Sequence, residues 1–209
     1  MTRRVISSPA DLEEGADWLA SRSEVFARLL PDLGPLPLRR KPEGFATLLN
    51  AIVGQQVSLA SAAAIWGRVV AAGFAIEENA AGASDAELAA CGLSRPKIRY
   101  TKALATARLP YQNFADMPDQ DVITRLCEVT GIGRWSAEIY VKFALGRADV
   151  FAAGDLALQE AARVAFELPA RPSEKALREM ALDWSPWRAV AARALWAYYR
   201  VLKDREGVI

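Results

Sequence analysis

Two stretches of this chain hold residues whose types and spacing could do chemistry. The first is Leu126-Cys-Glu-Val-Thr-Gly-Ile-Gly-Arg-Trp-Ser-Ala-Glu138, where Gly131 and Gly133 bracket Ile132 and precede Arg134 and Trp135. Glycines permit a turn too sharp for a Cβ and let peptide N–H groups approach a phosphate closely, and a helix starting at Arg134 adds the positive end of its dipole. The pattern reads as a helix–hairpin–helix with Ile132 anchoring the turn, although the same tripeptide would also serve simply to join two packed helices. The second stretch, Asp149-Val-Phe-Ala-Ala-Gly-Asp155, ends in a carboxylate at the start of a predicted helix. Its simplest role is an N-cap. A helix N-terminus also holds a carboxylate ionised and fixed in position, which is what a catalytic aspartate needs.

Composition narrows what such residues can do. The chain has 209 residues, 52% hydrophobic and 24% charged, enough for one large domain or two small lobes around a core. Lys plus Arg total 26 against 25 Asp plus Glu, so a net charge of +1 creates no whole-molecule field for a nucleic acid or a membrane, and any such binding must come from local patches. Histidine is absent, which removes Ser-His-Asp and Cys-His catalysis, imidazole acid–base chemistry and His-containing metal sites. Cys91 and Cys127 are too few for a disulfide framework, a four-cysteine zinc site or an iron–sulfur cluster, and both read as buried free thiols suited to a reducing cytosol. The first ten residues lack the apolar run of a signal peptide. The longest uncharged run, 44–67, is interrupted by Asn50, Gln55, Gln56 and Ser58, which predicts two buried helices joined by a polar turn rather than a membrane span.

The elements that must position these residues are helical almost throughout. Phe45, Leu48, Leu49, Ile52 and Val53 follow the spacing of a buried helix face, with Pro42-Glu43 suited to its first turn, and Gly54 breaks it. An Ala-rich helix follows over about 58–70, and others are predicted near 85–91, 96–107, 118–129, 135–145, 156–166, 173–182 and 187–203. No alternating strand is evident. Pro31-Asp-Leu-Gly-Pro-Leu-Pro37 reads as a rigid, non-helical connector, and the segment before it, with Trp18, Leu19, Phe26 and Leu29, must pack on something downstream and is expected to join the C-terminal half. The expected fold is all-α, about ten helices in two helical lobes: a central lobe over about 42–115, and a second from about 1–41 plus 116–209 that carries the hairpin at 130–134 and Asp155.

Taken together, 126–137 and 149–155 resemble the signature of the helix–hairpin–helix DNA glycosylases, in particular the AlkA-type 3-methyladenine DNA glycosylase II branch. Ala51-Ile-Val-Gly-Gln-Gln-Val-Ser58 is similar to that family's minor-groove turn, Leu93-Ser-Arg-Pro-Lys-Ile-Arg-Tyr-Thr-Lys102 to its basic segment, and Trp184-Ser-Pro-Trp-Arg-Ala-Val-Ala-Ala-Arg-Ala-Leu-Trp196 to its C-terminal helix. The match spans about 40–203, so the chain resembles a compact form without the extra N-terminal lobe of larger members, and the resemblance implies a DNA- and base-binding cleft between the two lobes. Where the family pattern places two tyrosines, this chain has Leu156 and Ile139, which implies a less aromatic base pocket.

The resemblance implies a base excision repair enzyme acting on damaged double-stranded DNA, which hydrolyses the N-glycosidic bond of an alkylated purine after base flipping and leaves an abasic site. Asp155 corresponds to the catalytic carboxylate, stabilising an oxocarbenium-like sugar and guiding water. No general acid is obvious, which suits a base already carrying positive charge. Trp135 stands where the lyase branch has a Schiff-base lysine, so no lyase activity is expected. Trp135 and Trp196 would wall the flipped base, with Ile139 and Leu156 completing the pocket and cation–π attraction favouring a cationic purine. Gly131, Gly133, Arg134 and Ser136 would bind phosphate, and Gln56, or Gln55, would be the minor-groove wedge. Between Leu88 and Ala115 no acidic residue occurs while Arg95, Lys97, Arg99, Lys102 and Arg108 recur, and Arg39-Arg40-Lys41 form a second cluster. A solvated helix face accounts for such runs about as well as DNA does, until the hairpin amides are added. Carbonyls of Cys127, Val129 and Ile132 would hold a structural Na+ or K+. No other cofactor, no iron–sulfur cluster, no membrane, a monomer and a bacterial cytosolic location are expected. The alternatives are a glycosylase for hypoxanthine or ethenoadenine, and a non-catalytic helix–hairpin–helix DNA-binding module.

Overall fold

The structure is a computed structural model that describes residues 4–205, so Met1–Arg3 of the N-terminal segment lie outside the described residues. Twelve α-helices account for the described chain: α1 (Pro9–Arg22), α2 (Glu24–Leu33), α3 (Phe45–Val53), α4 (Leu59–Ala71), α5 (Glu77–Gly82), α6 (Asp85–Ala90), α7 (Arg95–Thr106), α8 (Asp119–Cys127), α9 (Arg134–Phe143), α10 (Leu156–Ala165), α11 (Glu174–Met180) and α12 (Arg188–Arg205). Short 3-10 turns cover Tyr111–Asn113 and Ala181–Trp184. Among the described residues there is no strand, only an isolated antiparallel bridge between Val5 and Arg147, so the chain is all-α. No helix among them is long and apolar enough to cross a membrane.

Contacts divide the chain into two compact units, Lys41–Tyr140 and the flanking segments Met1–Arg40 with Val141–Ile209. In the 41–140 unit, α7 packs on α3, α5 and α6, and Leu48, Leu49, Ile52, Leu88, Leu104, Phe114 and Leu126 are buried. Residues 116–140 cluster here rather than with the termini, later than the sequence predicts. The cause is long-range: Tyr100 lies against Gly131, and the Phe114 ring meets Tyr140 edge-on at 6.3 Å. In the flanking unit, α1 and α2 pack on each other and on α12, and α10 packs on α12. Phe26, Phe151 and Phe166 surround Trp184 at centroid distances of 5.3–5.7 Å for the three aromatic neighbours that touch it. Gly15 is needed where α1 meets α12, because a Cβ there would strike Val190 and Trp187 at 2.6–2.9 Å.

Several local expectations change. Pro31 lies inside α2, in its last turn, where it lacks the N–H that would reach the Ala27 carbonyl, and Gly34 (φ +64) then ends the helix. Pro42 and Glu43 precede α3 rather than start it, since Gly44 (φ +107) is the residue at its N-terminus and donates its N–H to Tyr140 Oη at 2.8 Å. The α4 helix forms as expected, with Ser58 Oγ accepting from Ser61 N–H, yet it is largely exposed and only Val69 is buried among its described side chains. α5 carries no apolar period to announce it, with Ala80 its only buried residue. Cys91 is buried, but Cys127, at the last position of α8, is exposed because the helical rotation carries it off the Ile123–Leu126 stripe.

Candidate functional site

The hairpin lies between α8 and α9. Gly131 adopts φ +98, and a Cβ at this position would drive into the Tyr100 ring and its Cβ, so only glycine satisfies both the backbone and the neighbour. Gly133 has neither constraint: nothing lies within 4 Å of a Cβ placed there, and the residue is exposed. Ile132 is buried and its N–H donates to Val129 O at 3.0 Å, which closes the turn. The α9 helix follows directly. Arg134 is half-exposed there and pairs with the buried Glu138 at 3.0 Å, with a longer contact to Gln120 Oε1 at 3.4 Å. Ser136 is buried, so its hydroxyl is not part of an open phosphate surface. Trp135 is 44% exposed and Ile139 half-buried.

The α3–α4 turn reaches this hairpin. Gln55 Nε2 donates to Gly131 O at 3.0 Å, which turns that side chain inward and removes it from the wedge candidates. Gln56 is exposed, with its backbone in the left-handed region at φ +55. Nothing in the sequence distinguishes these two glutamines; the hydrogen bond does.

The basic segment divides in the same way. Arg95 and Arg99 are exposed one turn apart on α7. Lys97 is buried instead and donates to Val53 O at 2.7 Å, satisfying a carbonyl at the C-terminus of α3, and burial pushes its pKa down. Lys102 is paired with Asp85 at 2.5 Å. The exposed arginines Arg95 and Arg99 are therefore the part of the segment open to a phosphate. The acidic residue that occupies Lys102 lies outside the acid-free window read from the sequence.

Asp155 is the N-cap of α10, its Oδ1 accepting from Ala157 N–H at 2.9 Å and Leu158 N–H at 3.2 Å. The loop before it is tied down carbonyl by carbonyl. Asp155 N–H donates to Ala152 O at 3.0 Å, buried Gln159 donates to Ala153 O at 2.9 Å, and Arg178 reaches Phe151 O at 3.5 Å. Further back, Asp149 accepts two bonds from Arg188, at 2.6 and 2.9 Å, and one from Ser185 Oγ at 2.8 Å. Sequence reasoning missed Gln159, Arg178 and Arg188 as supports of this loop. Only the spacing of Gln159, one turn into α10, could have suggested it. Leu156, beside the carboxylate, is 62% exposed.

Trp196, expected with Trp135 to wall the flipped base, has neighbours on its ring. The ammonium of the buried Lys142 stands 3.7 Å from the Trp196 ring centroid, and the Phe143 ring stacks on it at 5.8 Å and 15°. A cation already engages this indole.

Comparisons with known proteins place the chain in a family. The family model described as "HhH-GPD superfamily base excision DNA repair protein" matches residues 49–186. The chain is 30% identical over 201 residues to DNA-3-methyladenine glycosylase 1 of Schizosaccharomyces pombe, covering 92% of this chain and 88% of that protein. Among solved structures, a DNA-3-methyladenine glycosidase from Bacillus halodurans superposes with a TM-score of 0.81 at 30% identity, covering 98% of this chain and 95% of that one. The S. pombe 3-methyladenine DNA glycosylase Mag1, solved in complex with abasic DNA, superposes with a TM-score of 0.78 at 28% identity over 88% of this chain and 95% of that one. With two thirds of the sequence inside the family model and a relative at this identity along nearly its whole length, the chain belongs to the HhH-GPD superfamily of base excision DNA repair proteins.

Proposed function

We propose that this protein is a monofunctional DNA glycosylase for alkylated purines of the 3-methyladenine and 7-methylguanine type, acting on a flipped nucleotide in double-stranded DNA. The observation that carries the reading is Asp155: a carboxylate fixed through one oxygen by two amides, on a loop tied down at three successive carbonyls, in a chain similar to proteins named for 3-methyladenine. The fixed position of Asp155 avoids reorganisation as positive charge grows on the sugar.

In the reaction, the electron pair of the glycosidic bond leaves with the cationic base, which departs neutral. Asp155 balances the charge on the oxocarbenium-like sugar, and water adds to the anomeric carbon and gives up a proton. Trp135 cannot form a Schiff base, so the product is an intact abasic site. Peptide N–H groups at Gly131, Gly133 and Arg134 would hold a backbone phosphate, Arg95 and Arg99 would add charge, and Gln56 would enter the base stack. Cys127, Val129 and Ile132 offer neutral carbonyl oxygens at the C-terminal end of α8. That donor set suits a monovalent cation in a structural role, consistent with the negative end of the helix dipole. Trp135 and Ile139 in the 41–140 unit, and Leu156 and Trp196 in the flanking unit, are the side chains proposed to contact the flipped base; Lys142 already covers the Trp196 indole in part.

Base release from methylated duplex DNA tests this. Wild type is expected to release 3-methyladenine and 7-methylguanine faster than hypoxanthine or ethenoadenine, without strand cleavage. Asp155→Asn should slow release by at least ~10²-fold, the scale of losing a pre-positioned electrostatic group. Equal rates for the two proteins would remove Asp155 from the chemistry. Salt-dependent DNA binding with no release of any base would leave a binding module instead.

A further inference from the structure

The linker between α2 and α3 carries arginines that neither the fold nor the proposed chemistry uses. Arg39 and Arg40 are both exposed, and neither forms an ion pair among the described residues. They are nevertheless held in place. Arg193, fully buried in α12, donates from one guanidinium nitrogen to Leu38 O at 3.2 Å and from another to Ala189 O at 2.9 Å, fixing the residue immediately before Arg39. Arg39 itself sits at φ +51, a left-handed conformation that a non-glycine residue adopts only when its surroundings impose it. On its other side, Arg40 lies in the space above Gly146, so close that no Cβ could stand at that glycine. Gly146 is in turn fixed by its carbonyl, which accepts from Ile6 N–H at 2.7 Å.

Holding these cations together carries a cost. Arg193 keeps a buried Nε with no hydrogen-bond partner, and its guanidinium lies 4.9 Å from the Phe143 ring. Burial, followed by repulsion from Arg39 and Arg40, pushes its pKa down to about 10, and no carboxylate figures among its neighbours' effects. Three like charges gathered in one place, with one out of water, are poised for an anion. A flexible, solvated arginine pair would need neither the strained φ nor the glycine cradle.

We propose that Arg39 and Arg40, fixed in position by Arg193, form a binding site for a backbone phosphate of DNA, in addition to the hairpin amides. The ligand class rests on the reading of this chain as a DNA-acting enzyme. The planar forks of two arginines suit a phosphate diester's paired oxygens. Arg193 is a positioning residue: it sets the Leu38 carbonyl and adds field without touching the phosphate.

The test is titration of a short undamaged duplex, which is not turned over, across a range of salt concentrations. For Arg39→Gln/Arg40→Gln, affinity at low salt should fall about tenfold and the slope of log K against log[salt] should become shallower by ~1, as for one lost phosphate contact. Arg193→Met should shift the slope the same way without lowering the melting temperature, a pattern that a merely structural arginine would not give. Inorganic phosphate provides a second arm: it should raise the melting temperature of wild type more than that of the double variant. An unchanged affinity and slope in the double variant, while wild type binds DNA with a steep salt dependence, overturns the proposal and leaves the DNA reading intact. Phosphate protection lost in the double variant with DNA affinity unchanged would overturn it too, because the site would then take free anions only. If wild type shows no salt-dependent DNA binding, the DNA reading itself fails and this site fails with it.

Discussion

The two hairpin glycines look alike in the sequence and differ in what they do. Gly131 is required by a positive φ and by the Tyr100 ring, whereas Gly133 faces open space. Gly131→Ala should therefore cost about 1–3 kcal/mol in stability by chemical denaturation, the strain of a left-handed non-glycine residue and a displaced tyrosine. Gly133→Ala should change stability by no more than about 0.5 kcal/mol and instead weaken duplex binding, because the added methyl stands where a phosphate would approach. Equal stability losses in both would sink this division of labour. Gln55 and Lys97 make the same point from the other direction. Each was legible as a polar residue facing DNA, and each turns out to satisfy a backbone carbonyl inside its own unit. A one-dimensional pattern shows that a side chain is polar but not which acceptor lies within 3 Å of it.

Helices were legible where their period or their caps are local. α3, α7, α8, α10 and α12 follow from apolar spacing, and Asp155 as a cap follows from its place before α10. The α1 helix begins with a reciprocal capping box in which Ser7 and Ser8 N–H groups both donate to Asp11 Oδ2 at 2.8 Å. Those bonds pull the Asp11 pKa down from 3.8 to about 2. A carboxylate depressed on folding contributes stability that is complete above its unfolded value near ~4 and lost as pH falls through about 2. The melting-temperature gap between wild type and Asp11→Ala should accordingly narrow as pH is lowered across that window. A gap that stays constant from pH ~5 to ~2 would assign the effect to something other than this cap. α2 and α4 were less legible. Pro31 removes a backbone donor yet α2 runs on to Leu33, and alanine-rich composition is compatible with burial or exposure, so the neighbours decided both.

For the whole molecule, a net charge of +1 gives no general attraction to nucleic acid, so binding must rest on a few placed groups. Arg95 and Arg99 on α7 and Arg39 and Arg40 on the linker, all exposed, together with the hairpin amides, are the groups proposed for this role. Wild type should thus bind duplex DNA with a log–log salt slope on the order of −3 to −4 despite its near neutrality, and a slope near zero would contradict the local-patch account. The sequence by itself determined the all-α class, the hairpin, the capping aspartate and the exclusion of imidazole chemistry, because composition, periodicity and turn residues are properties of neighbours along the chain. Only the tertiary structure decided that residues 116–140 cluster with 41–115, that Lys142 covers Trp196, that Lys97 and Gln55 face inward, and that Arg193 underlies the linker arginines. Each of those depends on a contact between residues far apart in the chain. Such contacts are selected by the packing of whole helices, and no local pattern encodes which distant carbonyl or ring a long polar side chain will meet.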